Sequence, residues 1–217
     1  MLREWLDRIT VFHVDTGDML PEMREIVAHV RTMAPNFVHV QRDVPTWIVE
    51  HGLPSDLLPF QSHHVGRLVG QEKVRLVPRY DCCAANIMLP VWEAMQEAGV
   101  TLVIRGTRLE DMPTLPVASG DILDGVEFLY PVQGLSAAQV FDYLRSVGAP
   151  VARIYEYGAS GPDCGACPAW LGERRAAYLR QFYPDQFTVY RERVAAVVSE
   201  VAPAVAAMVE EMKELSK

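Results

Sequence analysis

The chain has 217 residues, half of them hydrophobic and 22% charged, which suits one α/β domain with a substantial core. Its formal charge of −8 repels nucleic acid in bulk, so such a partner is disfavoured without being excluded. No apolar run approaches the roughly 20 residues of a membrane span, and the charged opening MLREWLDRIT has no signal-peptide core. The expectation is a cytoplasmic protein with no membrane association.

Leu2 to Ile9 reads as the end of an amphipathic helix, and ITVFHVD (9–15) as a buried strand. Thr16-Gly17-Asp18 ends that strand, Pro21 suits the first turn of a helix, and MREIVAHVRTM (23–33) continues it with helical spacing. NFVHVQRD (36–43) is the next strand, and this alternation predicts a parallel sheet. The stretch from Thr46 to Tyr80 is irregular, punctuated by Pro54 and Pro59. LPVWEAMQEAG (89–99) is a helix, VTLVIRG (100–106) a strand, 108–125 a loop-rich excursion and VEFLYPV (126–132) a short extended segment. Ser136 caps a helix over 137–148, and ERRAAYLRQFY (173–183) follows the second pair of cysteines. From Phe187 to Ser216 an apolar stripe has helical spacing, with a kink expected at Pro203. The division that follows is a domain over 1–185 and a C-terminal helix over 186–217, packed on the domain or on a partner.

All four cysteines fall in two tight pairs, Cys82-Cys83 and Cys164-Gly165-Ala166-Cys167. Scattered core thiols would not pair in this way, and structural disulfides are disfavoured in a reducing compartment. A redox dithiol would explain only the C-x-x-C pair. A single zinc ion suits adjacent cysteines poorly, because successive side chains diverge. A cubane offers a separate iron at each corner, so Cys82, Cys83, Cys164 and Cys167 together predict a [4Fe–4S] cluster, with zinc and free thiols as alternatives.

The Cys-Cys pair, some eighty residues and then C-x-x-C resembles the cluster motif of adenylylsulfate (APS) reductases. These belong with phosphoadenylylsulfate (PAPS) reductases in the adenine nucleotide α-hydrolase-like superfamily. VDTGDMLPE (14–22) looks like the family's D-T-G-x-x-x-P-E motif, and IRGTRLED (104–111) like its G-x-R-x-x-E motif. YPVQGLSAAQVFDYLRSVGAP (130–150) resembles the segment leading to the cluster loop, so the likeness covers roughly 10–185. It implies a three-layer α/β fold with a mainly parallel sheet flanked by helices, and a site for an adenine nucleotide (APS, PAPS or ATP). Asp15, Thr16 and Gly17 would lie near the nucleoside at a strand's carboxyl end. Arg105 and Arg108, flanking Gly106, would present guanidinium forks to phosphate or sulfate. Read without the family, Asp15 is a turn or capping residue and Arg108 a surface ion pair with Glu110 or Asp111. His63-His64 reads as solvated, and Trp170 and Tyr178 as core or as a shield over the cluster.

Family features without a counterpart here bear on catalysis. The S-G-G-x-D-S type pyrophosphate loop and its strand are missing, which implies a fold lacking its usual first strand and predicts self-association or a partner subunit. The nucleophilic cysteine of the family's C-terminal tail, whose product a thioredoxin-like donor resolves, is also missing. Ala85 and Asn86 stand where the family has arginine and lysine, removing positive charge from beside the cluster. The expected function is that of an iron–sulfur protein related to PAPS/APS reductases, reducing a sulfonucleotide if the missing parts are supplied. The alternatives are a cluster-containing sulfur-transfer or ATP-using subunit for nucleic-acid modification, and a non-catalytic interaction subunit.

Overall fold

The structure, a computed structural model, describes residues 2–69, 75–114, 116–158, 161–172 and 174–216. It is mixed α/β, with short, mostly parallel sheets. The β-branched run Thr10–Asp15 forms β1, and after a turn Pro21 opens α1 (Pro21–Met33), its missing N–H falling where a helix has no partner to offer. β2 (Asn36–Gln41) returns parallel to β1, pairing Thr10 with Asn36 through Asp15 with Gln41. The backbone continues this ladder, since Arg42 N donates to Asp15 O and Val44 N to Thr16 O.

The segment expected to be irregular contains more order than its prolines suggest. Asp43 accepts hydrogen bonds from Thr46 N and Oγ1 at 3.1 and 2.7 Å and so caps α2 (Val44–His51), with Pro45 in its first turn. β3 (Leu53–Ser55) and β4 (Leu76–Pro78) form a second parallel pair, with α3 (His64–Val69) between them.

Helix begins ten residues earlier than the sequence predicted. α4 (Arg79–Cys83) runs through a π-helical turn, Ala84–Met88, into α5 (Leu89–Glu97). Pro90 explains both the expectation and the outcome. It has no N–H for the carbonyl of Asn86 and its ring crowds that carbonyl, so the helix widens for one turn instead of stopping.

β5 (Leu102–Ile104) pairs parallel with β7 (Val126–Leu129), which also carries the antiparallel β6 (Ile122–Leu123). α6 (Ala137–Ser146) opens with a reciprocal capping box between Ser136 and Gln139. α7 (Arg175–Phe182) covers the 173–183 prediction, of which Glu173 lies outside the described residues. α8 (Pro184–Leu215) then runs for 32 residues with Pro203 inside it. At the other end, the predicted helix end at Leu2–Ile9 is only a 3-10 turn at Arg3–Trp5, followed by a turn to β1. Its apolar positions there, Leu2 and Trp5, are exposed, so no face is buried to hold a longer helix.

Three buried clusters hold these elements together. Leu20, Ile154, Tyr178, Leu179 and Tyr190 join the start of α1 to α7 and α8. Val103, Val126, Phe128 and Tyr130 lie under Trp92 and Met95 of α5. Val44, Ile48 and Val77 pack around Cys82 and Cys164, which places the cysteines in the core.

Candidate metal centre

Cys82 and Cys83 are the last two residues of α4, and Cys164 and Cys167 bracket a turn more than eighty residues later. All four line one cavity, so the structure brings together what the sequence pairs only locally. Its remaining walls are the apolar side chains of Val44, Ile48, Pro54 and Ile87, with Asn86 and Arg193. The atom-free space between them is about 340 Å³ including its open side.

Two features of the chain place the adjacent thiols. Cys82 and Cys83 stand about 100° apart around one helix, so they reach different sides of the same space. The wide turn that follows brings the buried Asn86 back over Cys82: its Nδ2 donates to Cys82 O at 3.0 Å and lies 3.8 Å from Sγ. The substitution read as a loss of charge at this position therefore supplies a hydrogen-bond donor to a thiol.

The second pair is held by the turn after β1. The buried Thr16 donates its hydroxyl to Asp163 O at 3.0 Å and stands within hydrogen-bonding reach of Cys164. Gly165 N donates to Asp18 O at 2.5 Å. The approach is close: a Cβ on Gly165 would meet Leu20 Cδ2 at 2.9 Å and Asp18 O at 3.1 Å, so a larger residue forces the loop or Leu20 to shift. Gly17, with φ +76°, lets the turn reverse, and its N–H donates to Asp15 Oδ1 at 2.8 Å. Asp15 thus acts as a turn residue, and Thr16-Gly17-Asp18 as the cradle of the Cys164–Cys167 loop.

Three arginines approach the thiols, Arg79 from the start of α4 and Arg175 and Arg193 from α7 and α8. Arg193 of α8 lines the cavity, ion-pairs with Asp18 Oδ2 at 2.6 Å and donates to Ala166 O at 3.0 Å. Arg175, fully buried at the start of α7, and Arg193 both favour the thiolate of Cys167. Arg79 does the same for Cys83; its guanidinium stacks 4.5 Å from the Trp170 ring and pairs with Asp56 at 3.0 Å. Burial opposes them. It pushes the Cys82 thiol up to about 12, helped by Cys83 and Cys167, and Cys83 up to about 11, helped by Cys167 and Asp163. Cys164 and Cys167 are raised by burial too, against the Thr16 hydroxyl for the first and the Ala169 N–H for the second. The mutual repulsion among these thiolates reports their convergence.

The remaining predicted residues lie elsewhere. Arg105 is exposed and extends the β5–β7 ladder by donating its N–H to Leu129 O, and Gly106 beside it is open to solvent. Arg108 is engaged by carboxylates, with Nη1 2.6 Å from Glu110 and Nε 2.8 Å from Asp111. Glu110 also accepts from Ala137 N at the start of α6. His63 is exposed, and Tyr178 belongs to the first core, donating its hydroxyl to Glu22 at 2.6 Å.

No protein-family model matches the chain, and no curated protein matches it. The reading rests on the site itself. It consists of four thiols in a mostly apolar cavity with Arg193 in its wall. Among the described residues, no three of His, Cys, Asp or Glu are placed to hold one metal ion. What the geometry shows is that all four thiols line one cavity.

Sequence reasoning missed Arg193 and the loop contact of Asp18, and read Asn86 only as a loss of charge where it is a hydrogen-bond donor. Arg193 carried a readable signal: it is a charged residue between Tyr190 and Val197, the buried positions of α8. Asn86 carried none, because its role depends on a helical turn that the residues ahead of Pro90 do not advertise.

Proposed function

We propose that this chain is an iron–sulfur protein in which Cys82, Cys83, Cys164 and Cys167 hold a [4Fe–4S] cluster. The observation that carries the reading is the single cavity lined by all four thiols. When bound, such a cluster supplies one-electron redox chemistry or a structural cross-link. The chain's own residues bind and position it. Thr16 and the Asp18 carbonyl fix one cysteine loop, Asn86 orients Cys82, and Arg79, Arg175 and Arg193 offset thiolate charge.

The wider reading is a relative of PAPS/APS reductases with a three-layer, adenine nucleotide α-hydrolase-like fold. Two parallel pairs support it, β1–β2 and β5–β7, with α5 packing on both. In a reducing cytoplasm the cysteines stay available as ligands. With all four thiols committed, sulfonucleotide reduction requires a nucleophilic thiol and two electrons from a partner such as a thioredoxin-like protein. A structural role for the cluster is the second reading. It is favoured by the engagement of Arg108 with Glu110 and Asp111 and of Asp15 with Gly17, which leaves those groups bound within the protein.

Anaerobic reconstitution with iron and sulfide tests the proposal. Four irons and four sulfides per chain, lost on changing any of the four cysteines to serine, are expected. One zinc per chain without sulfide would overturn it. Calorimetry of the loaded protein with APS, PAPS and ATP then separates the two roles: binding supports the reductase-like reading, and no heat with any of them supports the structural one.

A further inference from the structure

β1 and β2 lie in register with His13 opposite His39 and Asp15 opposite Gln41. Alternation along a strand sends residues two apart to one face, so these four polar residues form a square on the same side of the pair. His13 is half-buried there and His39 exposed. Their Nδ1 atoms are 3.3 Å apart, while the ring centroids are 5.3 Å apart. The two nitrogens are therefore the inner edges of the rings and face each other.

Gln41 decides which of the ring nitrogens carries a proton. Its Nε2 donates to Arg42 O at 3.2 Å, which leaves Oε1 facing His39 Nε2 at 3.0 Å. That oxygen only accepts, so His39 Nε2 holds the ring proton and Nδ1 keeps its lone pair, aimed at His13. A hydrogen bond from His13 Nδ1 could use that lone pair, but 3.3 Å is long for one. An ion at about 2.0–2.1 Å from each nitrogen, the usual zinc–histidine distance, would see them at an angle of about 107°, close to tetrahedral. Asp15 sets its negative charge against His13 from the next position on the face. With its Oδ1 taken by Gly17 N, it favours a cation as a nearby charge rather than as a ligand.

We infer that His13 and His39 form a two-histidine site for a divalent transition-metal ion of the zinc, copper and nickel class. Imidazole nitrogen is the ligand these ions share. Both rings bind through Nδ1; the neutral His13 carries its one ring proton on Nε2, and the Gln41 amide orients His39 from behind. No third His, Cys, Asp or Glu among the described residues joins them. The other coordination positions therefore face the solvent, on the exposed His39 side. The ion ties β1 to β2 just before the turn that cradles the Cys164–Cys167 loop. The site shares no residue with the thiol cavity and does not rest on the cluster.

Zinc calorimetry on the full chain, free of any added histidine tag, tests the inference by difference. Wild type, His13→Gln and His39→Gln are compared in the same cysteine state, so whatever the thiols hold cancels. Each variant should bind one zinc fewer per chain. The double variant should lose no more than either single one, because one imidazole alone does not hold the ion. Near-ultraviolet circular dichroism of His39→Gln, a change at an exposed position, should match wild type and so show that the chain stays folded. Nitrogen-15 shifts of the two rings should place zinc on Nδ1 and the proton on Nε2. Gln41→Leu should keep the site with about tenfold lower affinity. Equal zinc stoichiometry in wild type and both single variants would overturn the site. Coordination through Nε2 would overturn its geometry, and unchanged affinity in Gln41→Leu the role of that amide.

Discussion

Arg193 Nη1 lies 2.6 Å from Asp18 Oδ2, and the two side chains are only 12% and 11% exposed. This pair ties three parts of the chain together, since Arg193 also donates to Ala166 O between the cysteines of the second pair. The turn after β1, the cysteine loop and α8 therefore share one buried charge pair.

Removing one member of such a pair leaves the other charged and desolvated, at a cost of about 3 kcal/mol. Arg193→Ala should lower the chemical denaturation midpoint accordingly. The double change Asp18→Asn with Arg193→Met should recover most of that loss, because neither remaining group is then an unpaired ion. Equal destabilisation by the single and double variants would mean that the pair is not what holds these elements together.

Thr16 and Gly165 make a second, separable prediction. Thr16→Val keeps the shape but leaves the Asp163 carbonyl without its donor, a cost of about 1–3 kcal/mol for a buried acceptor. Gly165→Ala forces a Cβ against Leu20 and the Asp18 carbonyl, so the loop or Leu20 must move. Both variants should fold, yet hold less iron per chain after reconstitution than wild type, with Gly165→Ala the more severe. Full iron content in Gly165→Ala would show that the close approach is dispensable.

How far these relationships were legible differs from element to element. The β1–α1–β2 unit could be read closely, because its strands are runs of apolar and β-branched residues and Pro21 marks the helix start. The convergence of Cys82, Cys83, Cys164 and Cys167 into one cavity was foreseen from their pairing alone. The helix through Cys82 and Cys83 was not, because Pro90 reads as a boundary and becomes a π-helical turn. Thr16 was expected near a nucleoside; its contact with Asp163 depends on a fold that brings residues 147 apart together. Local pattern cannot report such a contact. The same limit hid the arginines, which converge from α4, α7 and α8.

The cross-strand pair His13 and His39 makes stability depend on pH. Their rings stack 5.3 Å apart, with Nδ1 atoms 3.3 Å from each other. Partial burial, and then the neighbouring His39, lower the pKa of His13 below 6.5, while Asp15 opposes the shift. The unfolded chain then binds more protons than the folded one between the two values, so stability rises with pH across that window. It should be complete above 6.5, fall as pH drops through the folded value, and level off below it. His13→Gln should flatten this part of the profile of urea midpoint measured between about pH 5 and 8. Profiles of the two proteins that run parallel would show that His13 is not the group responsible.

Stripping the metal separates a structural cluster from a replaceable one. The four thiols come from the end of α4 and from a loop held against β1, so a cluster bridging them cross-links segments that are remote in sequence. Any group that binds the folded chain and not the unfolded one stabilises it by mass action, about 4 kcal/mol when free ligand exceeds its dissociation constant a thousandfold. Anaerobic chelation of the loaded protein should therefore lower the melting temperature by more than 5 °C or so for a domain of this size. The second cysteine loop should become open to alkylation at the same time, because only hydrogen bonds from Thr16, to the Asp18 carbonyl and from Arg193 then hold it. The Arg193→Ala variant separates the two supports. If the cluster carries the cross-link, loaded Arg193→Ala should melt close to loaded wild type and the apo variant well below apo wild type. If loading leaves that gap unchanged, the cluster and the Arg193–Asp18 pair act independently, and the cluster is not the staple between these segments.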